Sequence, residues 1–265
     1  MIIEQLIAKY KKLGFDYKNS KNLAAEEILL SKIASSPLSE HVTLKGGVVM
    51  FNLTKNSRRV TRDVDFDLIR YSIDELSILL LIEKLNSIND GISISIDRKL
   101  EPLKQEDYQG VRAYIKFKDN KSMLRIKIDI GVHTYTFIEQ EKIMFSFDTN
   151  NRLFLKVNPC EQIFIEKLIS LSRFGLLSTR YKDIYDMYYL IASNLLDIKK
   201  TRQYLDLFLS SSLKKPHSIS EIISAVTETL NNEQFILDAS EPAYKWIDVD
   251  FHVIKNTILD YLDRL

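Results

Sequence analysis

The sequence predicts a mixed α/β domain over residues 1–157, followed by a helical domain over 158–265. Three observations carry that reading. Strand-period runs crowd the stretch between 63 and 157, and helical periodicity takes over almost without interruption after Pro159. The chain is 265 residues long, with 45% hydrophobic and 28% charged residues, which is the balance of two ordinary domains with real cores.

Each element follows from its own pattern. Ile2, Leu6, Ile7 and Tyr10 form one apolar stripe before a stop at Gly14. Leu23, Ile28, Leu29, Leu30 and Ile33 form a second stripe that ends near Pro37, so two helices open the chain. A short strand at 42–44 meets Gly46-Gly47, then a helical stretch at 48–53 and a polar loop at 54–62. Residues 63–69 alternate acidic and apolar, the period of a strand. Ser72 and Glu75 have the spacing of a capping box, which opens a helix expected to reach about Ile88. Further strands are expected at 92–96, 111–117, 123–132, 143–147 and 153–157. The later helices are expected to break at Gly175, around 214–216 and around 239–242.

Composition excludes several classes. Disorder is out, and no apolar run approaches the roughly 18 residues a membrane helix needs. The start MIIEQLIAKYKKLG mixes acid and base into its apolar pattern and shows no cleavage site, so a cytoplasmic chain is expected. One cysteine cannot form an internal disulfide, and four scattered histidines lack zinc spacing, which leaves oxygen as the ligand for any metal. The net charge of +1 hides an asymmetry: residues 1–157 hold 25 basic against 21 acidic side chains, and residues 158–265 hold 12 against 15. Two basic clusters stand out, Lys55, Arg58, Arg59 and Arg62, then Lys116, Lys118, Lys121, Arg125 and Lys127. Each reads either as a solvated face or as a path for RNA.

Asp63, Asp65 and Asp67 sit at i, i+2 and i+4 of one strand, so their carboxylates share a face while Val64, Phe66 and Leu68 share the other. Crowded like charges repel, which leaves two readings: a wet strand face, or a site for Mg²⁺, a hard ion that takes oxygen ligands. Asp129 shares a strand face with Arg125 and Lys127. It is either a surface ion-pair partner or a third carboxylate for a metal pair. Gly46-Gly47, between strand and helix, marks a tight turn or a close approach to phosphate. Lys167 lies between Ile163 and Leu171 on an apolar helical stripe, and Asp183 with Asp186 lies on a second helix beside Met187 and Leu190.

Read together, Leu44-Lys45-Gly46-Gly47 and Arg59-Val60-Thr61-Arg62-Asp63-Val64-Asp65-Phe66 resemble the first motif of the AbiEii/AbiGii-type toxin nucleotidyltransferases. Glu166-Lys167-Leu168 resembles their lysine motif. Arg180-Tyr181-Lys182-Asp183-Ile184-Tyr185-Asp186-Met187 resembles their R-x-K-D-x-x-D-L motif, with Met187 in place of leucine. The motifs span 44 to 190, and the residues beyond match nothing in the pattern.

The resemblance implies a polymerase-β-like nucleotidyltransferase domain with a mixed sheet, then a helical-bundle domain, with the active site in the cleft between them. It implies the toxin of a bacterial toxin–antitoxin or abortive-infection system, moving NMP from an NTP to an acceptor RNA such as a tRNA 3′ end, with a cognate antitoxin as partner and no membrane. In that scheme Asp63 and Asp65 hold Mg²⁺ (or Mn²⁺) on the triphosphate, and Asp129 completes a second metal site. Lys45, Gly46, Gly47, Arg59 and Thr61 line the nucleotide. Lys167 neutralises phosphate charge, Asp183 orients Lys167 or touches the nucleotide, and Asp186 belongs to the nucleotide site. Two rival readings are a module that binds NTP or RNA without catalysis, and a D-x-D glycosyltransferase. The second leaves Gly46-Gly47, Lys167 and Asp183 unexplained.

Overall fold

The alternation of strand β2 (Asp63–Leu68) organises the first half of the molecule. Its even residues Val64, Phe66 and Leu68 are fully buried, and its odd residues carry the acids on the opposite face. The computed structural model describes residues 2–103, 110–133, 138–147, 152–211 and 216–265 and divides into two units, Met1–Asn158 and Pro159–Leu265.

In the first unit the helices are α1 (Ile3–Lys12), α2 (Tyr17–Ala34), α3 (Gly46–Thr54) and α4 (Glu75–Asn86). The other strands are β1 (Val42–Lys45), β3 (Ser93–Ile96), β4 (Glu101–Pro102), β5 (Gly110–Lys118), β6 (Met123–Val132), β7 (Glu141–Ser146) and β8 (Arg152–Val157). They form one mixed sheet in the order β3-β5-β6-β2-β1-β8-β7, with β4 adding a short rung to β5. β2 lies between an antiparallel β1 and a parallel β6. Its apolar face continues through Ile128, Ile130, Ala113, Ile115 and Phe117, all fully buried. α2 packs against β6 and β8.

The starts of α2 and α4 are fixed by short acids. Asp16 caps α2 by accepting the Asn19 N–H at 2.8 Å. The start of α4 departs from expectation. Asp74, not Ser72, is its cap, accepting the Ser77 N–H at 2.9 Å, because its carboxylate stands one residue before the first helical turn. Ser72 instead donates its hydroxyl to Asp74. The end of α4 is tied down from α2. The wholly buried Lys32 gives its ammonium to Ile88 O at 3.0 Å, Asp90 at 2.7 Å and Leu85 O at 3.4 Å, so all three donors are satisfied.

Two adjacent glutamates on α2 are also buried. Glu27 accepts from Lys9 and from the Tyr10 hydroxyl at 2.8 Å. Burial pushes the Glu26 carboxyl up to about 8, with Lys55 pulling the other way and Glu27 adding to the rise. Between the ordinary value and about 8, the folded chain holds a proton that the unfolded chain has lost. Stability is therefore expected to fall as pH rises across that window. Urea unfolding at pH 5.5 and 8.5 checks this, and Glu26→Gln is expected to remove most of the difference.

The second unit is helical: α5 (Cys160–Phe174), α6 (Tyr181–Ala192), α7 (Ile198–Ser211), α8 (Ile219–Asn231), α9 (Glu233–Ala239) and α10 (Phe251–Leu262). Gly175, with φ +48°, ends α5, and the chain also breaks after Ala239. The break expected around 214–216 falls mostly on 212–215, outside the described residues. α7 and α8 pack on α5, and α10 packs on α6. Tyr185 of α6 donates to Ala239 O at 2.8 Å, and the Tyr261 ring meets Phe164 edge-on at 5.3 Å. The stretch that matched no motif thus builds the core that holds the two motif-bearing helices. Among the described residues no helix is long and apolar enough to cross a membrane.

Candidate active site

The glycine pair opens α3 directly from β1, with Lys45 at the cap position and its side chain turned to other partners than the helix N–H groups. Gly46 is left-handed at φ +62°, and a Cβ there would stand 2.9 Å from Asp65 Oδ2. A Cβ on Gly47 would meet Thr61 Oγ1 at 2.7 Å and Arg59 Nη1 at 3.4 Å. The missing side chains therefore make room for the protein's own acid and loop, beside helix N–H groups that favour an anion. Thr61 closes the turn by donating its hydroxyl to Asp63 O at 3.2 Å, and Arg59 nearby is buried. Gly46→Ala forces an L side chain into left-handed backbone, at a cost of about 1–2 kcal/mol, and pushes Asp65 aside. A lower melting temperature in a thermal melt is the expected result.

Across the sheet the charged residues line up by register. Lys45 stands opposite Asp65, Asp65 opposite Asp129, and Asp129 opposite Arg112, a row running over β1, β2, β6 and β5. One rung along, Asp63 is level with Lys127. Facing residues in a ladder point the same way, so acids and bases interleave on one surface. Lys45 pairs with the buried Asp67 at 2.8 Å, and Lys127 pairs with Asp63 at 2.6 Å. Arg112 takes Asp129 with two bonds, Nε to Oδ1 and Nη2 to Oδ2, both 2.8 Å. That pairing raises the Arg112 pKa further above its ordinary value. The repulsion expected among the strand acids is thus relieved by cations from neighbouring strands.

Within the first unit the row carries Lys45, Asp65 and Asp129, the next rung carries Asp63, and the turn beside Asp65 carries Gly46, Gly47, Arg59 and Thr61. Lys45 is engaged with Asp67, and Asp129 is engaged with Arg112, a residue that no sequence motif singles out. Asp63 and Asp65 offer hard oxygen donors two residues apart on one face, the chemistry a divalent ion such as Mg²⁺ requires. Among the described residues, no group of three or more acids, histidines or cysteines converges closely enough to hold a metal.

The second unit carries its own constellation. Lys167 of α5 places its ammonium 2.5 Å from Asp183 and 2.9 Å from Asp186, both on α6. Lys167 is 8% exposed and Asp186 is completely enclosed. Ile163 and Leu171, one turn to either side on α5, are buried, which explains why the lysine lies on an apolar stripe. Asp186 is closed to solvent and meets Lys167. Asp183 keeps some exposure.

A family model described as nucleotidyl transferase AbiEii toxin, type IV TA system, matches residues 27–245. No curated protein matches the chain. Among solved structures, JHP933 from Helicobacter pylori superposes with a TM-score of 0.51 at 15% identity, covering 94% of this chain and 92% of that one. An antigenic nucleotidyltransferase-like protein from Paracoccidioides brasiliensis gives a TM-score of 0.45 at 15% identity, over 80% of this chain and 89% of that one.

Proposed function

Because the chain belongs to the AbiEii nucleotidyl transferase toxin family of type IV toxin–antitoxin systems, we propose that it transfers NMP from an NTP to an acceptor RNA in a reaction that depends on Mg²⁺. The observation that carries this reading is the acid pair Asp63 and Asp65 on one strand face, with Asp65 seated against Gly46 at the start of α3. Held by those two carboxylates, Mg²⁺ would screen the triphosphate and polarise the phosphorus under attack. The first-turn N–H groups of α3 bind a phosphate oxygen, and Gly47 lets Arg59 and Thr61 close around them. Lys167 is the phosphate cation proposed for the helical unit. Asp183 and Asp186 set its position, and the enclosed Asp186 acts only through the lysine.

The acceptor assignment rests on charge. Arg112, Lys116 and Lys118 on β5, with Arg125 and Lys127 on β6, share the face that bears the acid pair. Asp97 offsets part of it, bonding Arg125 at 2.9 Å and lying 3.7 Å from Lys116. The Arg98 guanidinium stacks on Tyr114 at 3.2 Å, a surface to which a base or a phosphate can add. In the helical unit, Glu233, Asp238, Glu241, Asp248 and Asp250 face a lone Lys245 between 231 and 250, a poor surface for RNA.

The test is incubation with each α-labelled NTP and total bacterial RNA, with and without Mg²⁺, beside Asp63→Ala. Label entering RNA only with Mg²⁺ and only in the wild type is the expected result. Tight NTP binding with no label in any RNA pool would return the chain to a binding module. Lys118→Glu is expected to weaken RNA binding and to flatten its dependence on log salt by about one unit.

A further inference from the structure

The partners of two candidate metal ligands, Asp63 and Asp129, differ in kind. Asp63 gives one oxygen to the flexible Lys127, while Asp129 gives both to the planar Arg112. A lysine is a single mobile point charge and is readily exchanged for a metal. A two-bond guanidinium–carboxylate pair is among the stronger ionic contacts a protein makes. Freeing Asp129 for a metal would break both bonds and leave a bare guanidinium beside a dication, unfavourable on both counts.

Arg112 also has capacity to spare. Two of its five N–H donors serve Asp129, and its side chain is 32% exposed, so the remaining donors can reach solvent. Its strand lies two places from that of Asp65 in the same register row, about 10 Å across the sheet, within reach of a triphosphate held at the acid pair.

We infer that the site takes a single divalent ion, on Asp63 and Asp65, and that Arg112, held in place by Asp129, supplies the second positive charge to the phosphates. This rests on the proposed role of the acid pair. Arg112 is then a phosphate-binding residue and Asp129 a positioning residue.

Titration of the full chain with Mn²⁺ alone, followed by the loss of the free-ion paramagnetic signal, tests it without any reaction. The wild type is expected to bind one ion. Asp63→Asn and Asp65→Asn should weaken binding by about tenfold or more, and Asp129→Asn by less than about threefold. Arg112→Met should bind a second ion, or bind the first about tenfold more tightly, because the Asp129 carboxylate is released and a repelling cation removed. In transfer assays Asp129→Asn and Arg112→Met should raise the KM for NTP, with Arg112→Lys recovering part of it.

Asp129→Asn losing Mn²⁺ as severely as Asp63→Asn would overturn the inference while keeping the acid pair as the metal site. So would Arg112→Met leaving both number and affinity unchanged. A wild type that binds no Mn²⁺, or binds it independently of Asp63 and Asp65, would bring down the acid-pair reading itself. Asp129→Asn decides the matter alone if the arginine variants fail to fold.

Discussion

Asp65→Asn is expected to cut nucleotide transfer by about 10²–10³-fold while changing the melting temperature little, since asparagine keeps the shape and removes only the charge. Asp65 is the acid for which the fold makes the most specific provision. It stands between Lys45 and Asp129 in the register row, and a side chain on Gly46 would collide with its Oδ2. Steady-state incorporation of labelled NMP beside a thermal melt checks both halves. Wild-type turnover in this variant would remove Asp65 from the mechanism and leave the glycine turn as mere packing.

Lys167→Met is expected to destabilise the helical unit by about 3 kcal/mol or more, as well as stopping transfer. The ammonium is shared by two carboxylates, and one of them, Asp186, has no exposure at all. Removing the cation takes an ion-pair partner 2.9 Å away from a carboxylate that has no exposure to water. A compensated variant separates structure from chemistry: Lys167→Met combined with Asp186→Leu replaces the enclosed pair by hydrocarbon and is expected to recover much of the stability. Transfer should stay lost. Chemical denaturation of the single and double variants, with transfer measured on each, checks this. Activity returning with the double variant would show that Lys167 does nothing beyond holding α5 to α6.

Much of this architecture was legible in one dimension. The acid–apolar alternation read over 63–69 became β2 over Asp63–Leu68 with its apolar side fully buried, and β6 runs over the same residues as its alternating pattern. Gly14 and Gly175 marked the ends of α1 and α5, whereas the cap of α4 belongs to Asp74 and not to the expected Ser72. Boundaries were less legible. α2 begins at Tyr17, well before its apolar stripe, because Asp16 caps it there. Two buried glutamates and a buried lysine on that helix also broke the pattern used to trace it.

The sequence by itself determined which acids share a face, where the chain can turn tightly, and that Lys167, Asp183 and Asp186 lie on helical stripes. Those properties depend on neighbours within a turn or a strand, fixed by the 3.6 and 2.0 periods of the backbone. Only the tertiary structure decided what each acid meets. Lys127 reaches Asp63 across a parallel pairing, Lys45 reaches Asp67 across an antiparallel one, and Arg112 closes on Asp129 from the next strand. Strand order and register set those encounters between residues from 17 to 64 positions apart, and a slip of one residue would turn every partner to the other face.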